Sequence, residues 1–124
     1  MSNTPPETLN AKCACGAVTA TLRGPFRQPI ACHCESCRRQ SGHFTAATSV
    51  PRENFELGNS DKLIWWRATD HAERGFCADC GSLMFWKMDG VERVSIFMGC
   101  IDTPTGLQME KHIYTEEKSD YYDI

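Results

Sequence analysis

The stretch Cys32–Gly42 reads CHCESCRRQSG and carries three cysteines at C-x-C-x-x-C spacing. If the backbone that enters Cys32 is extended, residues two apart point to one face, so Cys32 and Cys34 can converge on one ion. Cys37 follows one tight turn later and can close over the same ion from the side. Three thiolates leave one open position on a tetrahedral Zn²⁺, an arrangement typical of catalytic rather than structural zinc. The stretch therefore predicts a catalytic zinc site.

The fourth ligand of this site decides how it is interpreted. His33 is the nearest candidate, but the alternation of an extended strand turns its side chain to the opposite face. We therefore predict an open position. The alternative is a second closed, structural site in which a histidine completes the ligand set, and the candidates for that role are His33, His43, His71 and His112.

Two arginines, Arg38 and Arg39, come directly after the third cysteine. Zn²⁺ with three thiolates has a net charge of −1, and an incoming thiolate makes it −2. A guanidinium nearby offsets that charge and can bind a substrate carboxylate with two hydrogen bonds. We predict that they bind the substrate, and the alternative is that both are solvated positions on a helix.

Four further cysteines predict a second metal site. Cys13 and Cys15 share one face if their segment is a strand, and Cys77-x-x-Cys80-Gly81 has the pattern of a zinc knuckle, in which the glycine permits the bend. Together they predict a closed, structural zinc site that joins distant segments. Binding of zinc to such sites contributes about 10–16 kcal/mol in zinc-finger peptides. The alternative, a redox C-x-x-C motif, normally lies in a βαβ unit, and no such unit is predicted.

The totals favour a zinc protein over other classes. The chain has 124 residues, eight cysteines and a net charge of −3, which disfavours nucleic acid as a partner. We expect no signal peptide, no membrane span and a cytoplasmic location, where thiols stay reduced and clustered cysteines bind metal or catalyse. The remaining cysteine, Cys100, is predicted to be a buried small apolar residue.

The fold predicted from the pattern is mostly β, with little helix. Residues 1–10 are predicted to be a flexible N-terminal arm, and residues 11–124 a single zinc domain. Residues 35–40 are predicted to form one or two helical turns, with Ser36 as a possible cap and Gly42 as the end. The short β-prone segments are 18–22, 30–32, 44–50, 63–67, 83–87 and 91–98.

The order of these motifs resembles one known family. It runs from C-x-C-G-A-V at Cys13, through C-H-C-x-x-C-R-R-x-S-G at Cys32 and R-G-F-C-x-x-C-G-S at Arg74, to G-x-I-D at Gly99. This order is similar to that of the glutathione-dependent formaldehyde-activating enzymes, also called the CENP-V/GFA domain family. The resemblance covers residues 12–114, which is nearly the whole predicted domain.

The resemblance implies a β-tent of several coiled antiparallel sheets held by zinc. It implies a structural zinc on Cys13, Cys15, Cys77 and Cys80, and a catalytic zinc on Cys32, Cys34 and Cys37. The activity that it implies is that of a carbon–sulfur lyase, joining formaldehyde reversibly to glutathione to give S-(hydroxymethyl)glutathione. We therefore expect a zinc enzyme whose substrate is a small thiol. The alternative is a non-catalytic binding module for a protein or chromatin partner.

Overall fold

The computed structural model describes residues 7–124, which form ten β-strands and one α-helix. This confirms the mostly-β class with little helix. The helix α1 spans Glu35–Ser41, and short 3₁₀ turns lie at Arg52–Asn54, Met98–Cys100 and Thr115–Glu117. The strands are β1 (Thr8–Lys12), β2 (Thr19–Arg23), β3 (Ile30–Cys32), β4 (Thr45–Pro51), β5 (Phe55–Leu57), β6 (Leu63–Arg67), β7 (Ala72–Cys77), β8 (Leu83–Met88), β9 (Arg93–Phe97) and β10 (Lys111–Ile113).

The strands form two sheets. The smaller has the order β1-β2-β5, and the larger has the order β10-β3-β4-β9-β8-β7-β6. All strand pairs are antiparallel except β10 with β3, which is parallel. The larger sheet therefore places β3, which leads into the first cysteine cluster, next to the C-terminal strand on one side and β4 on the other.

One apolar core joins the sheets. The smaller sheet contributes alternate residues such as Leu9, Ala11 and Leu22, and the larger sheet contributes Phe85 and Ile96, all of them buried. Burying a large apolar side chain contributes about 1.5–3 kcal/mol. The same core contains both Cys13 and Cys77, so two of the cysteines lie where the sheets meet. Within residues 7–124 no helix has the length and apolar character needed to span a membrane.

Strand β1 corrects the predicted N-terminal arm. It includes Thr8, Leu9 and Asn10, which fall inside the predicted arm of residues 1–10, and it pairs along its length with β2. The reason is that Leu9 and Ala11 are buried in the core, and one large apolar residue followed by an alanine gives too weak an alternation for a strand to be predicted. Residues 1–6 of the predicted arm lie outside the described residues.

Helix α1 begins at Glu35, as predicted, which is two residues earlier than a cap at Ser36 would place its start. Its N-cap is Cys34, whose sulfur accepts a hydrogen bond from the backbone N–H of Cys37. A thiol is not among the preferred capping groups, which is why the sequence favours Ser36 instead. The predicted end at Gly42 is confirmed: this residue has φ of 89°, and its N–H donates to the carbonyl of Arg38.

Candidate metal centres

The structure brings Cys13, Cys15, Cys77 and Cys80 together, with all four sulfurs within 4.8 Å of one another. The sulfur of Cys15 lies 3.6 Å from that of Cys13 and 3.8 Å from that of Cys77. In a tetrahedral site with Zn–S bonds of about 2.3 Å, neighbouring sulfurs are separated by roughly 3.8 Å. The donor set and its spacing therefore fit a zinc ion.

Two tight turns deliver these four thiols. Cys13 and Cys15 lie in the turn between β1 and β2, where the N–H of Gly16 donates to the carbonyl of Cys13, so the two residues do not share a strand as predicted. Their sulfurs converge because the turn curls around them. In the second turn Gly81 has φ of 77° and its N–H donates to the carbonyl of Cys77, as a zinc knuckle requires.

Ser82 connects the two turns. Its hydroxyl oxygen accepts a hydrogen bond from the N–H of Ala14 at 2.9 Å and lies 3.2 Å from the Cys80 sulfur. Hydrogen bonds from the Ser82 side chain and from its backbone N–H lower the pKa of Cys80 to about 5. The Cys80 thiol is therefore ready to bind a cation at neutral pH, because the thiolate is the form that binds metal.

The second cluster consists of Cys32, Cys34 and Cys37, whose three sulfurs also lie within 4.8 Å of one another. Cys32 ends β3, Cys34 caps α1, and Cys37 is buried on the helix. Among residues 7–124, no histidine, aspartate or glutamate joins this group within the same distance. Three thiols grouped in this way could hold a metal ion and leave a position for another ligand.

Cys37 and Cys32 differ in how readily they lose a proton. Hydrogen bonds from Cys32, Thr45 and Cys34, together with the positive charge of Arg74, lower the pKa of Cys37 to about 5 against the opposing effect of burial. The hydrogen bond that Cys32 makes to Cys37, and the burial of its own sulfur, raise the pKa of Cys32. Of these two thiols, Cys37 therefore ionises more readily than Cys32.

Arg74 is a site residue that the sequence reasoning missed. It lies on β7, is only 4% exposed, and its Nη2 donates to the Cys37 sulfur at 3.4 Å. Its place in the motif R-G-F-C is the only signal in the sequence, because nothing local relates β7 to helix α1. The pairing of strands in the larger sheet brings the two together.

Arg38 and Arg39, the predicted substrate-binding pair, lie on the outer side of α1. Their Nη2 atoms are 3.9 Å and 3.7 Å from a carboxylate oxygen of Glu35, and their side chains are 30% and 68% exposed. Exposed pairs of this kind contribute little to stability. The exposed Arg39 can exchange Glu35 for another anion, whereas Arg38 is half-buried and its Nε is buried without a hydrogen-bond partner. The role of both arginines in substrate binding stays a prediction.

His33 lies in a hydrogen-bond network away from the three thiols. Its Nδ1 is 2.5 Å from the hydroxyl of Tyr122, and its Nε2 is 2.9 Å from Nδ1 of His112. Both ring nitrogens thus have partners, and burial lowers the pKa of His33. This agrees with the predicted alternation, which turns His33 away from Cys32 and Cys34. Of the other two candidate histidines, His43 hydrogen-bonds to Tyr121, and His71 is exposed.

A cleft of about 510 Å³ is lined by residues that neighbour the three-cysteine cluster in the fold, and not by the three cysteines themselves. One side is lined by Thr45, which pairs with Cys32 in the sheet and hydrogen-bonds to Cys37, and by Gln40, which accepts a hydrogen bond from Arg74. This volume is in the range of small-molecule sites, about 300–1,000 Å³. The lining also includes Gly81, which follows the last cysteine of the four-cysteine cluster.

Cys100 stands apart from both clusters, in a 3₁₀ turn after β9. Its sulfur donates to the carbonyl of Phe97 at 3.2 Å, and burial raises its pKa to about 12. It contacts the apolar core as a partly buried residue. These properties agree with its predicted role as a small apolar side chain.

Comparison with known proteins relates the whole arrangement to one family. The chain is 34% identical over 83 residues to a protein of Aspergillus terreus and 29% identical over 90 residues to one of Aspergillus flavus, and both carry the name of the glutathione-dependent formaldehyde-activating enzymes. The matches cover 65% and 71% of this chain but 44% and 47% of those proteins, so the chain spans about half their length.

The fold has a counterpart among solved structures. A crystal structure of a Rhodobacter sphaeroides protein superposes with a TM-score of 0.66 at 20% identity, covering 83% of this chain and 98% of that one. The sequence profile of the glutathione-dependent formaldehyde-activating enzyme family matches residues 8–117, which include all seven clustered cysteines. The chain therefore belongs to the glutathione-dependent formaldehyde-activating enzyme family.

Proposed function

We propose that this protein is a zinc-dependent enzyme of the carbon–sulfur lyase type. It binds glutathione, or a similar small thiol, at a zinc held by Cys32, Cys34 and Cys37. It adds the thiol to a small carbonyl compound such as formaldehyde or releases that compound from the adduct. The observation that carries the proposal is the group of three sulfurs within 4.8 Å, beside a cleft of about 510 Å³.

The contrast between the two clusters supports separate roles for them. The four-cysteine cluster offers a full tetrahedral ligand set and joins turns from both sheets, which fits a structural zinc. The three-cysteine cluster offers one ligand fewer and borders the cleft through Thr45 and Gln40. A small ligand in that cleft would lie next to Thr45 and Gln40, and Gln40 shares Arg74 with the Cys37 sulfur.

The reaction needs little from the protein besides a bound thiolate and a nearby carbonyl carbon. A zinc ion at this site would supply Lewis-acid chemistry that lowers the pKa of an incoming thiol. In the addition, a bond forms between the thiol sulfur and the carbonyl carbon, the carbon–oxygen π bond breaks, and the thiol proton ends on the oxygen. The reverse reaction breaks the carbon–sulfur bond. Arg38 and Arg39 would attract the carboxylates of glutathione toward the end of α1.

A cobalt-substituted protein tests this proposal directly. The thiolate-to-cobalt charge-transfer absorption should change when glutathione adds a fourth sulfur to the three-cysteine site. S-methylglutathione is the matched control ligand, because it keeps the carboxylates and has no free thiol, and it should leave the spectrum unchanged. Formation of S-(hydroxymethyl)glutathione from labelled formaldehyde, followed by NMR, should be faster with the zinc protein than in buffer.

Three variants separate thiol binding at the metal from electrostatic attraction of the substrate. Cys34→Ser should abolish the response to glutathione while the four-cysteine centre keeps its metal. Arg38→Ala and Arg39→Ala should each weaken glutathione binding by roughly two- to fivefold, because both side chains reach solvent. A wild-type spectrum that does not respond to saturating glutathione would refute the glutathione site and favour a non-catalytic binding module.

A further inference from the structure

Arg74 is a charged side chain in an unusual position. It is 4% exposed, although it projects from β7 within the larger sheet. Its Nη1 donates to Oε1 of Gln40 at 3.0 Å and to the carbonyl of Ser36 at 3.4 Å, and its Nη2 donates to the sulfur of Cys37 at 3.4 Å. Its Nε is buried and has no hydrogen-bond partner. All of these contacts are made to helix α1.

The positive charge of Arg74 has no carboxylate to balance it within the described part of the chain. The ion pairs of residues 7–124 involve Arg23, Arg38, Arg39, Arg67 and two lysines, and Arg74 is in none of them. Burying an unpaired charge is so unfavourable that buried cations are found with an opposite charge beside them. The group that contacts Arg74 and can carry a negative charge is the Cys37 thiolate.

We propose that Arg74 is the buried counter-ion of the three-cysteine metal centre and sets the affinity of that centre for its metal. Three thiolates and one divalent ion have a net charge of −1, and Arg74 neutralises this charge within one hydrogen bond of Cys37. A substrate thiolate would add one more negative charge, so the metal ion and its four thiolates would carry a net charge of −2. With Arg74 included, the net charge would be −1. Arg38 and Arg39 lie beside the Glu35 carboxylate, which offsets part of their charge, so neither is assigned this role.

The surroundings of Arg74 favour a positioning role over packing alone. Gln40 and the Ser36 carbonyl hold one end of the guanidinium, so the other end is directed at Cys37. Gln40 also lines the cleft, which places this hydrogen-bond chain between the cleft and the thiols. Hydrogen bonds that involve a charged group are about twice as strong as neutral ones.

The test compares neutral and charged replacements of Arg74. Arg74→Met removes the charge and keeps most of the length, and Arg74→Lys keeps the charge. We expect Arg74→Met to weaken metal binding at the three-cysteine centre by about ten- to a hundredfold, measured by competition with a chelator. Arg74→Lys should restore most of that loss. The four-cysteine centre should keep its metal in both variants.

A spectroscopic readout separates a charge effect from a general loss of packing. In the cobalt-loaded protein, removing the cation beside Cys37 should shift the sulfur-to-cobalt charge-transfer band of this centre to lower energy, since the thiolate electrons are then less strongly held. Arg93→Met is the matched control, because Arg93 hydrogen-bonds to Ser49 and Pro25 near the other end of β4. That variant should leave both the band and the metal affinity unchanged.

The counter-ion role is overturned if Arg74→Met leaves the metal affinity of the three-cysteine centre unchanged. It is also overturned if Arg74→Lys lowers that affinity as much as Arg74→Met does. If Arg74→Met does not fold, Arg74→Gln replaces it, with the same expected loss and the same refuting results. The inference rests on the metal-binding part of the proposed function. If the three-cysteine centre of the wild-type protein binds no metal, both the proposed function and this inference are refuted. If all Arg74 variants bind glutathione normally and keep their metal affinity, only this inference is refuted.

Discussion

The backbone N–H of Cys37 donates a hydrogen bond to the sulfur of Cys34, 3.3 Å away. Cys34 is the N-cap of helix α1, so one thiol both caps the helix and faces the three-cysteine centre. A group at the N-cap satisfies one of the backbone N–H groups that a helix leaves unpaired. Helix formation and assembly of this cluster are therefore coupled through a single side chain.

This dual role of Cys34 can be divided by choice of substitution. Cys34→Ser and Cys34→Ala should both remove metal from the three-cysteine centre, because neither supplies a thiolate. Serine is a preferred N-cap and alanine is not, so the serine variant should be more stable than the alanine variant by about 0.5–2 kcal/mol. Chemical denaturation of both variants measures this difference. Equal stabilities would show that the cap contributes nothing.

Cys77→Ser should abolish cooperative folding. Cys77 is fully buried in the core between the sheets, and its sulfur lies 3.8 Å from that of Cys15. The binding of structural zinc contributes about 10–16 kcal/mol in small zinc domains, which is comparable with the whole stability of a typical domain, about 5–15 kcal/mol. Thermal melting and zinc analysis check this. A native melting curve without metal in the Cys77→Ser variant would refute the structural role.

Cys100→Ala is the control for the cysteine substitutions. It should leave the metal content unchanged, since Cys100 lies outside both clusters.

The pKa of Cys100, about 12, lies above the ordinary value of 9.0, so the thiol contributes stability below pH 9 that is lost as the pH rises toward 12. At pH 8 only about one thiol in 10⁴ is ionised, and alkylation of Cys100 in the native protein should therefore be negligible. Mass spectrometry after treatment with iodoacetamide measures this, and rapid modification would contradict it.

Thr45→Val should make metal binding at the three-cysteine centre more sensitive to acid. The hydrogen bond from Thr45 helps to lower the pKa of Cys37 to about 5, below its ordinary value of 9.0. In the metal-free protein this thiolate stabilises the fold above pH 9, and the contribution is lost as the pH falls through about 5. Valine has a similar shape without the hydroxyl, so protons compete better with metal. The pH at which half of this metal is released should rise in the variant, and an unchanged midpoint would exclude Thr45 from this role.

Local sequence patterns are enough to identify the residues of the two clusters and most of the strands near them. Cysteine spacing is a local property, and the glycine after each short motif reports a turn whose geometry is also local: Gly81 has positive φ after Cys80, and Gly42 ends α1. The alternation that turns His33 away from its neighbours is likewise a property of a few consecutive residues. The strand β1 was missed because its single large apolar residue, Leu9, leaves no readable pattern.

The residues that surround the three thiols depend on long-range packing, which local sequence patterns do not reveal. Arg38 and Arg39 are adjacent to Cys37 in sequence, yet they point toward solvent and Glu35, whereas Arg74, thirty-seven residues away, donates to the Cys37 sulfur. The physical reason is that an α-helix distributes consecutive residues around its axis, so residues next to a buried position face outward. The buried face of α1 is completed by a strand from elsewhere in the chain, and the order of strands in the larger sheet selects which strand that is.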